Sequence, residues 1–224
     1  VHIKSVTDLP LVASEIPVVA QLLADAFWPG PLTLVLKKQP NIPDLVTAGK
    51  DTVAIRVPNH PVTLALLERL NFPLAAPSAN PFGSISPTKA THVAHYFEAS
   101  PLTILEGGEC RSGIESTIIG FEDDSPILYR LGSITIEAIE KITGPLSVKT
   151  DSEATPAAPG MLSKHYAPKT QTIVTENIAN SLFLHENKRV GLLTFQNRFE
   201  HSAIVAQEVL SPNGNLEEAA THLY

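Results

Sequence analysis

The residues best suited to chemistry fall into a few short runs. In Thr52-Val53-Ala54-Ile55-Arg56-Val57 the alternation of a strand puts Val53, Ile55 and Val57 on one face and Thr52, Ala54 and Arg56 on the other. A guanidinium then shares a face with a hydroxyl, with only a methyl group between them. Arg offers a planar fork of donors, so this face reads either as a clamp for a carboxylate or phosphate or as a half-exposed strand with a surface Arg. A second run, Ala75 to Thr88, leaves a strand at its carboxyl end, where α/β sheets place ligands. It reaches Ser86 just ahead of an expected helix N-terminus that suits an anion. Ser78, Asn80 and Gly83 as turn formers and Ser86 as a plain N-cap is the competing reading.

Other runs are weaker. Gly107-Gly108-Glu109-Cys110-Arg111-Ser112-Gly113 imitates a phosphate loop, but Ile114-Glu115 stand where Lys and Ser/Thr are required, which favours a turn between strands. Cys110 beside Arg111 reads as a nucleophile of lowered pKa or, without a neighbouring His, as a small space-filler. His92 and His95, three apart on an expected helix, lack a third ligand and read better as a solvated face than as a metal site. Neither G-x-G-x-x-G, H-E-x-x-H nor G-x-S-x-G occurs, and no residue pair presents itself as a general acid and base.

The elements that must position these runs alternate between helix and strand. Helical spacing covers 14–26. Strands are expected at 32–36, 52–57, 74–76, 102–105, 116–121 and 126–130, and helices at 61–70, 87–97 and 136–142, the last closed by Gly144. Pro145 to Thr170 has no apolar period and reads as a linker. Beyond it, 172–174, 178–184, 190–195 and 203–209 begin a second alternation, with 215–224 as a final helix. The expected organisation is a domain over 1–144, a linker over 145–170 and a smaller α/β domain over 171–224. Alternation of this kind favours a sheet with covered faces, with an antiparallel portion among the later strands.

Composition narrows the class. The chain has 224 residues, 43% hydrophobic and 17% charged, with 19 Pro. Twelve of these prolines lie between Pro10 and Pro87, among good strands, so they read as shaped loops on a folded scaffold. One cysteine excludes an internal disulfide and fits a reducing compartment, with the cytoplasm as default. No apolar run approaches the ~18 residues of a membrane span. A net charge of −7 and a pI near 5.6 disfavour broad phosphate-backbone binding.

Taken in order, Phe27-Trp28-Pro29-Gly30-Pro31-Leu32-Thr33, Val53-Ala54-Ile55-Arg56-Val57-Pro58, the segment Ala76 to Thr88, Gly113-Ile114-Glu115-Ser116-Thr117-Ile118-Ile119 and Pro159-Gly160-Met161-Leu162-Ser163-Lys164-His165-Tyr166-Ala167-Pro168 resemble the YrdC/Sua family of threonylcarbamoyl-AMP synthases, in its long two-domain form. The resemblance is strong over about residues 1–170. It implies a YrdC-like twisted open mixed sheet with helices, followed by a smaller, incomplete Rossmann-like α/β domain. It also implies an enzyme joining L-threonine, bicarbonate and ATP into L-threonylcarbamoyladenylate with release of pyrophosphate, Mg2+ accompanying the ATP. The product would pass to a separate complex that places the threonylcarbamoyl group on tRNA. By the family pattern His2, Arg56, the Ala76 backbone and Ser116 would bind L-threonine. Thr52, Ser78, Ser86 and Arg130 would contact ATP, and Tyr166 on the linker would fold over it. No residue is assigned as a general acid or base, and none as a metal ligand. The family's amino-terminal phosphate-binding segment is expected to precede Val1, and both ends of the chain read as cut. Gly120 stands where an acidic residue is common, and Leu131 where Pro is common. An alternative from another class is an RNA-binding YrdC-type module without synthase activity, with weak contacts to double-stranded RNA or tRNA.

Overall fold

A computed structural model describes residues 1–81, 83–110, 113–149 and 170–223. Two compact units divide them. Of the described residues, one unit takes 1–79, 103–107 and 115–149, and the other takes 80–102, 108–114 and 170–223. Contiguity along the chain does not predict this partition, because the segment around Pro87 groups with the carboxyl-terminal elements.

In the first unit a 3-10 turn, Val6–Asp8, runs into α1, Leu9–Val12. Helix α2, Val18–Phe27, starts after Pro17, whose extended backbone ends the preceding segment, so the helix is shorter than its apolar spacing suggests. Strand β1 is Leu32–Lys37, α3 is Asp44–Thr47, β2 is Thr52–Ile55 and α4 is Pro61–Glu68. Helix α5, Ala90–Tyr96, belongs to the second unit. The first unit resumes with β3, Thr117–Glu122, β4, Ser125–Arg130, α6, Ile136–Thr143, and a short β5, Ser147–Val148, that begins inside the expected linker.

The five strands form one sheet in the order β2-β1-β3-β4-β5. Strands β1 and β3 run parallel, β2 is antiparallel to β1, and β4 is antiparallel to β3. Beside β2, Val1 to Ile3 add a further rung: His2 bridges both Arg56 and Leu74. The alternation expected for 52–57 holds, with Val53, Ile55 and Val57 buried. They join Leu32, Leu34, Leu36, Ile119 and Leu128 in the main core, which α2 covers with Ala20, Leu23 and Ala24 and α6 with Ile139. On the opposite face Val35 and Ile118 form a small buried cluster flanked by Ala54 and Tyr129, and Ile127 is buried opposite Gly120. Gly120 fits this packing: a Cβ there would lie 2.1 Å from the Tyr129 ring.

Several expected elements are absent. Residues 102–105 are exposed and carry no strand, and 74–76 reduce to the single bridge at Leu74, with Ala75 and Ala76 exposed. Both runs are too short to be held without a continuous ladder. Residues 172–174 also stay outside any strand.

The second unit holds α5 and, further along, α7, Ile178–Leu184, β6, Val190–Thr194, β7, Ile204–Val209, and α8, Leu216–Thr221. Strands β6 and β7 pair in parallel as a two-stranded sheet. Helix α8 is capped by Asn215, whose side chain accepts from the Glu217 and Glu218 amides. Of the expected linker, Thr150 to Lys169 lie outside the described residues, Tyr166 among them. Among the described residues no helix is long and apolar enough to cross a membrane.

Candidate active site

The register of the sheet gathers polar side chains at one end. Leu32 pairs with Thr117 and Leu34 with Ile55, so β1 and β3 begin at the end where β2 stops. Arg130 pairs with Ile118 and closes β4 at the same end. Thr33, Arg56, Ser116 and Arg130 thus come together from four separate stretches of chain.

Arg56 is fixed by the turn that follows α2. Trp28 Nε1 donates to Leu32 O at 2.7 Å, closing the turn over Pro29-Gly30-Pro31. The Gly30 amide then donates to Val57 O at 2.9 Å, while Gly30 O accepts from Arg56 Nε at 2.9 Å. A side chain at Gly30 would sit 2.1 Å from Phe27 O, so glycine is required for this approach. Arg56 is half-buried, and among the described residues it has no acidic partner. Burial, and secondarily the Arg130 guanidinium, hold its pKa below the usual value. It stays charged, because arginine does not deprotonate in proteins.

His2 lies on the adjacent rung. Its amide donates to Leu74 O at 2.7 Å and its carbonyl accepts from Leu74 N at 3.0 Å. Its Nδ1 is buried with no hydrogen-bond partner among the described residues. Burial first, with the positive charge of Arg56 adding to it, lowers its pKa to about 4. The ring is therefore neutral near pH 7. Ala76 lies two residues beyond Leu74, exposed, and Ser78 is exposed beyond it.

Ser116 is buried just ahead of β3. Its hydroxyl lies 2.8 Å from Thr33 Oγ1. Arg130 lies along it: Nη2 donates to Ser116 O at 2.9 Å and to Ser116 Oγ at 3.2 Å, and Nε to Ser116 O at 3.2 Å. Arg130 Nη1 pairs with the Glu115 carboxylate. The chain after β4 wraps this peptide, since Ser133 N donates to Glu115 O at 2.9 Å and a Cβ on Gly132 would meet Glu115 O at 2.4 Å. Among the described residues the charges at this end are thus two guanidiniums and one carboxylate, an environment that favours one further anion.

Thr52 is placed differently. It shares the face of Arg56 but pairs with Lys37 at the other end of β2, about 13 Å along the strand. In the second unit Ser86 is half-buried. Helix α5 begins at Ala90 and not at Pro87, because Lys89 is extended and the Thr88 amide is taken by His92 Nδ1 at 3.4 Å. Ser86 therefore does not sit at the helix N-terminus. His92 serves that local turn, and among the described residues no group of three His, Cys, Asp or Glu is set to hold a metal ion. Desolvation pushes the Cys110 thiol up, away from the thiolate a nucleophile needs. A hollow elsewhere in the first unit, lined mainly by apolar side chains such as Leu11, Leu67 and Phe72, contains none of the gathered polar residues.

Reading residues one run at a time passes over Thr33, Gly30 and Glu115. The signal for Thr33 is its place as the polar residue in Leu32-Thr33-Leu34-Val35-Leu36, on the same face as Val35. The signal for Glu115 is a carboxylate set beside Ser116 ahead of a buried strand.

Comparison with known proteins agrees with the motifs. The model of the Sua5/YciO/YrdC family, described as "Telomere recombination", matches residues 1–132, and "Threonylcarbamoyl-AMP synthase, C-terminal domain" matches 134–224. A threonylcarbamoyl-AMP synthase of Pyrococcus abyssi is 40% identical over the whole chain, which covers 68% of that relative. One from Bacillus subtilis is 38% identical with the same coverage of both. The crystal structure of P. abyssi Sua5 complexed with L-threonine superposes with a TM-score of 0.89 at 39% identity, over 99% of this chain and 68% of that one. Escherichia coli YciO matches 60% of this chain and 66% of its own at a TM-score of 0.52 and 25% identity. Matched along its length by both family models and aligned end to end with these synthases, the chain belongs to the Sua5/YrdC family in its two-domain form.

Proposed function

We propose that the chain is a nucleotidyltransferase that forms L-threonylcarbamoyladenylate and pyrophosphate from L-threonine, bicarbonate and ATP. The observation that carries the reading is Arg56: a half-buried guanidinium with no acidic partner among the described residues, beside an unpartnered His2 Nδ1 and the Ser116 hydroxyl. A buried cation of this kind is stabilised when an anionic ligand completes it. The carboxylate of L-threonine has the size and charge to do so.

In this reading Arg56 and Ser116 hold the carboxylate, neutral His2 offers Nδ1, and the exposed Ala76 backbone meets the amino acid from the adjacent segment. The amino group takes up bicarbonate as a carbamate with loss of water. A carbamate oxygen then attacks the α-phosphorus of ATP and pyrophosphate leaves. Such a displacement depends on alignment and charge neutralisation more than on a covalent intermediate. Arg130, Ser78, Ser86, Thr52 and Tyr166 are the proposed nucleotide contacts, Tyr166 lying outside the described residues. The Mg2+ expected with ATP would be held largely through phosphate oxygens and water. The adenylate is proposed to supply the threonylcarbamoyl group for tRNA modification by a separate transferase complex.

The test is a product assay by mass spectrometry on the full chain with ATP, L-threonine and bicarbonate, each omitted in turn. The adenylate and pyrophosphate are expected only with all three present. Adenylate formation that ignores threonine would overturn the proposal.

A further inference from the structure

We infer that Thr33 is a positioning residue for the threonine substrate, acting through the hydroxyl of Ser116. The inference rests on the function proposed above and adds a residue that it does not use.

Thr33 lies in β1 and Ser116 just ahead of β3, and their hydroxyl oxygens are 2.8 Å apart. Neither side-chain hydroxyl has another hydroxyl or carbonyl partner among the described residues; the only other contact to Ser116 Oγ is Arg130 Nη2 at 3.2 Å. A guanidinium only donates, so one lone pair of Ser116 Oγ is occupied. The two hydroxyls have two protons and share one mutual bond, which leaves a single proton for a ligand. Donation from Arg130 polarises the Ser116 O–H and makes it the better outward donor. A carboxylate on Arg56 is a stronger acceptor than a hydroxyl. With substrate bound, the favoured order is therefore Thr33 donating to Ser116 and Ser116 donating to the carboxylate. The Glu115 pair on Arg130 holds the guanidinium in the orientation that this order needs. Without Thr33, Ser116 keeps its oxygen but loses the donor that fixes its rotor, and its proton is no longer directed.

Thr33→Val keeps the shape of the side chain and removes the hydroxyl, whereas Thr33→Ser keeps the hydroxyl. Steady-state kinetics on the full chain should show Thr33→Val raising the KM for L-threonine about 5- to 10-fold, as expected for one lost hydrogen bond. The KM for ATP should change by less than about twofold, since Arg130, the proposed nucleotide contact nearest this bond, keeps its bond to Ser116 O and its pairing with Glu115. Thr33→Ser should restore the threonine KM. Adding Thr33→Val to Ser116→Ala should cost nothing beyond Ser116→Ala alone, because the two act in series. Thr33→Ala makes the same comparison if the valine variant does not fold. An unchanged threonine KM, a serine variant as poor as valine, or additive penalties would each overturn the role of Thr33. A wild-type chain whose product ignores threonine would instead overturn the function on which it rests, and Thr33 with it.

Discussion

The two faces of the five-stranded sheet are built from alternate residues of the same strands, yet they solve different problems. One face carries Leu34, Ile55, Ile119 and Leu128, each fully buried beneath α2 and α6. The other has a small apolar floor of Val35 and Ile118, and at one end it gives way to Thr33, Arg56, Ser116 and Arg130. Burial stabilises the first face directly, because apolar area leaves water. On the second face burial is a cost: Arg56 loses hydration and gains one carbonyl, Gly30 O. The contrast teaches where to look for function. A half-buried cation without a carboxylate contributes little to folding, and it becomes intelligible once an anion completes it.

The comparison can be broken at three points. The largest effect is expected on the core face, where Ile119→Ala should lower unfolding free energy by about 2–5 kcal/mol in a denaturant titration. Its threonine KM, per folded molecule, should stay near that of the wild type. On the ligand face the balance reverses. Arg56→Ala should raise the threonine KM about 10- to 100-fold, the worth of a charge-assisted pair, and the ATP requirement far less. Its denaturation midpoint should be level with wild type or higher, since an incompletely paired charge is removed. Equal effects on both substrates would remove the assignment of Arg56 to the carboxylate, and a stability loss as large as that of Ile119→Ala would make the second face structural too.

The smallest effect concerns His2. Its folded pKa of about 4 lies below the ordinary imidazole value of 6.5, so the unfolded chain binds the proton more readily. The stability contributed by the neutral ring is full above pH 6.5 and is lost as pH falls toward 4. At about pH 5.5 the loss should be on the order of 1 kcal/mol relative to neutral pH. Thermal melts of wild type and His2→Gln across this window should converge at the acid end. Parallel slopes would mean that His2 is protonated as easily in the folded chain as in the unfolded one.

Much of the fold was legible. The alternation in 52–57, the apolar spacing before Trp28, and Gly144 at the end of α6 each rest on local chemistry that the surroundings do not overturn. The expected strands that failed, 74–76, 102–105 and 172–174, are short runs, for which periodicity cannot separate a strand from an extended loop. The start of the helix after Pro87 was misplaced because His92, four residues beyond Thr88, takes up that amide. Side chains that cap through space leave little trace in a propensity argument. Arg56 was legible from residue type and strand alternation, whereas His2 and Ser116 were named through the family resemblance alone. Thr33 and Glu115 were passed over because their partners are distant in sequence.

By itself the sequence determined the strand faces, the helix spacing, the proline-shaped turns and the family motifs, because each depends on neighbours within a few residues. Only the tertiary structure decided that Thr52, although on the same face as Arg56, stands at the far end of β2. It alone decided that Thr33 and Arg130 close on Ser116 and that Arg56 is left without a carboxylate among the described residues. Those outcomes depend on strand register and on segments brought together from opposite parts of the chain, and no local preference encodes which side chain will meet which across a sheet.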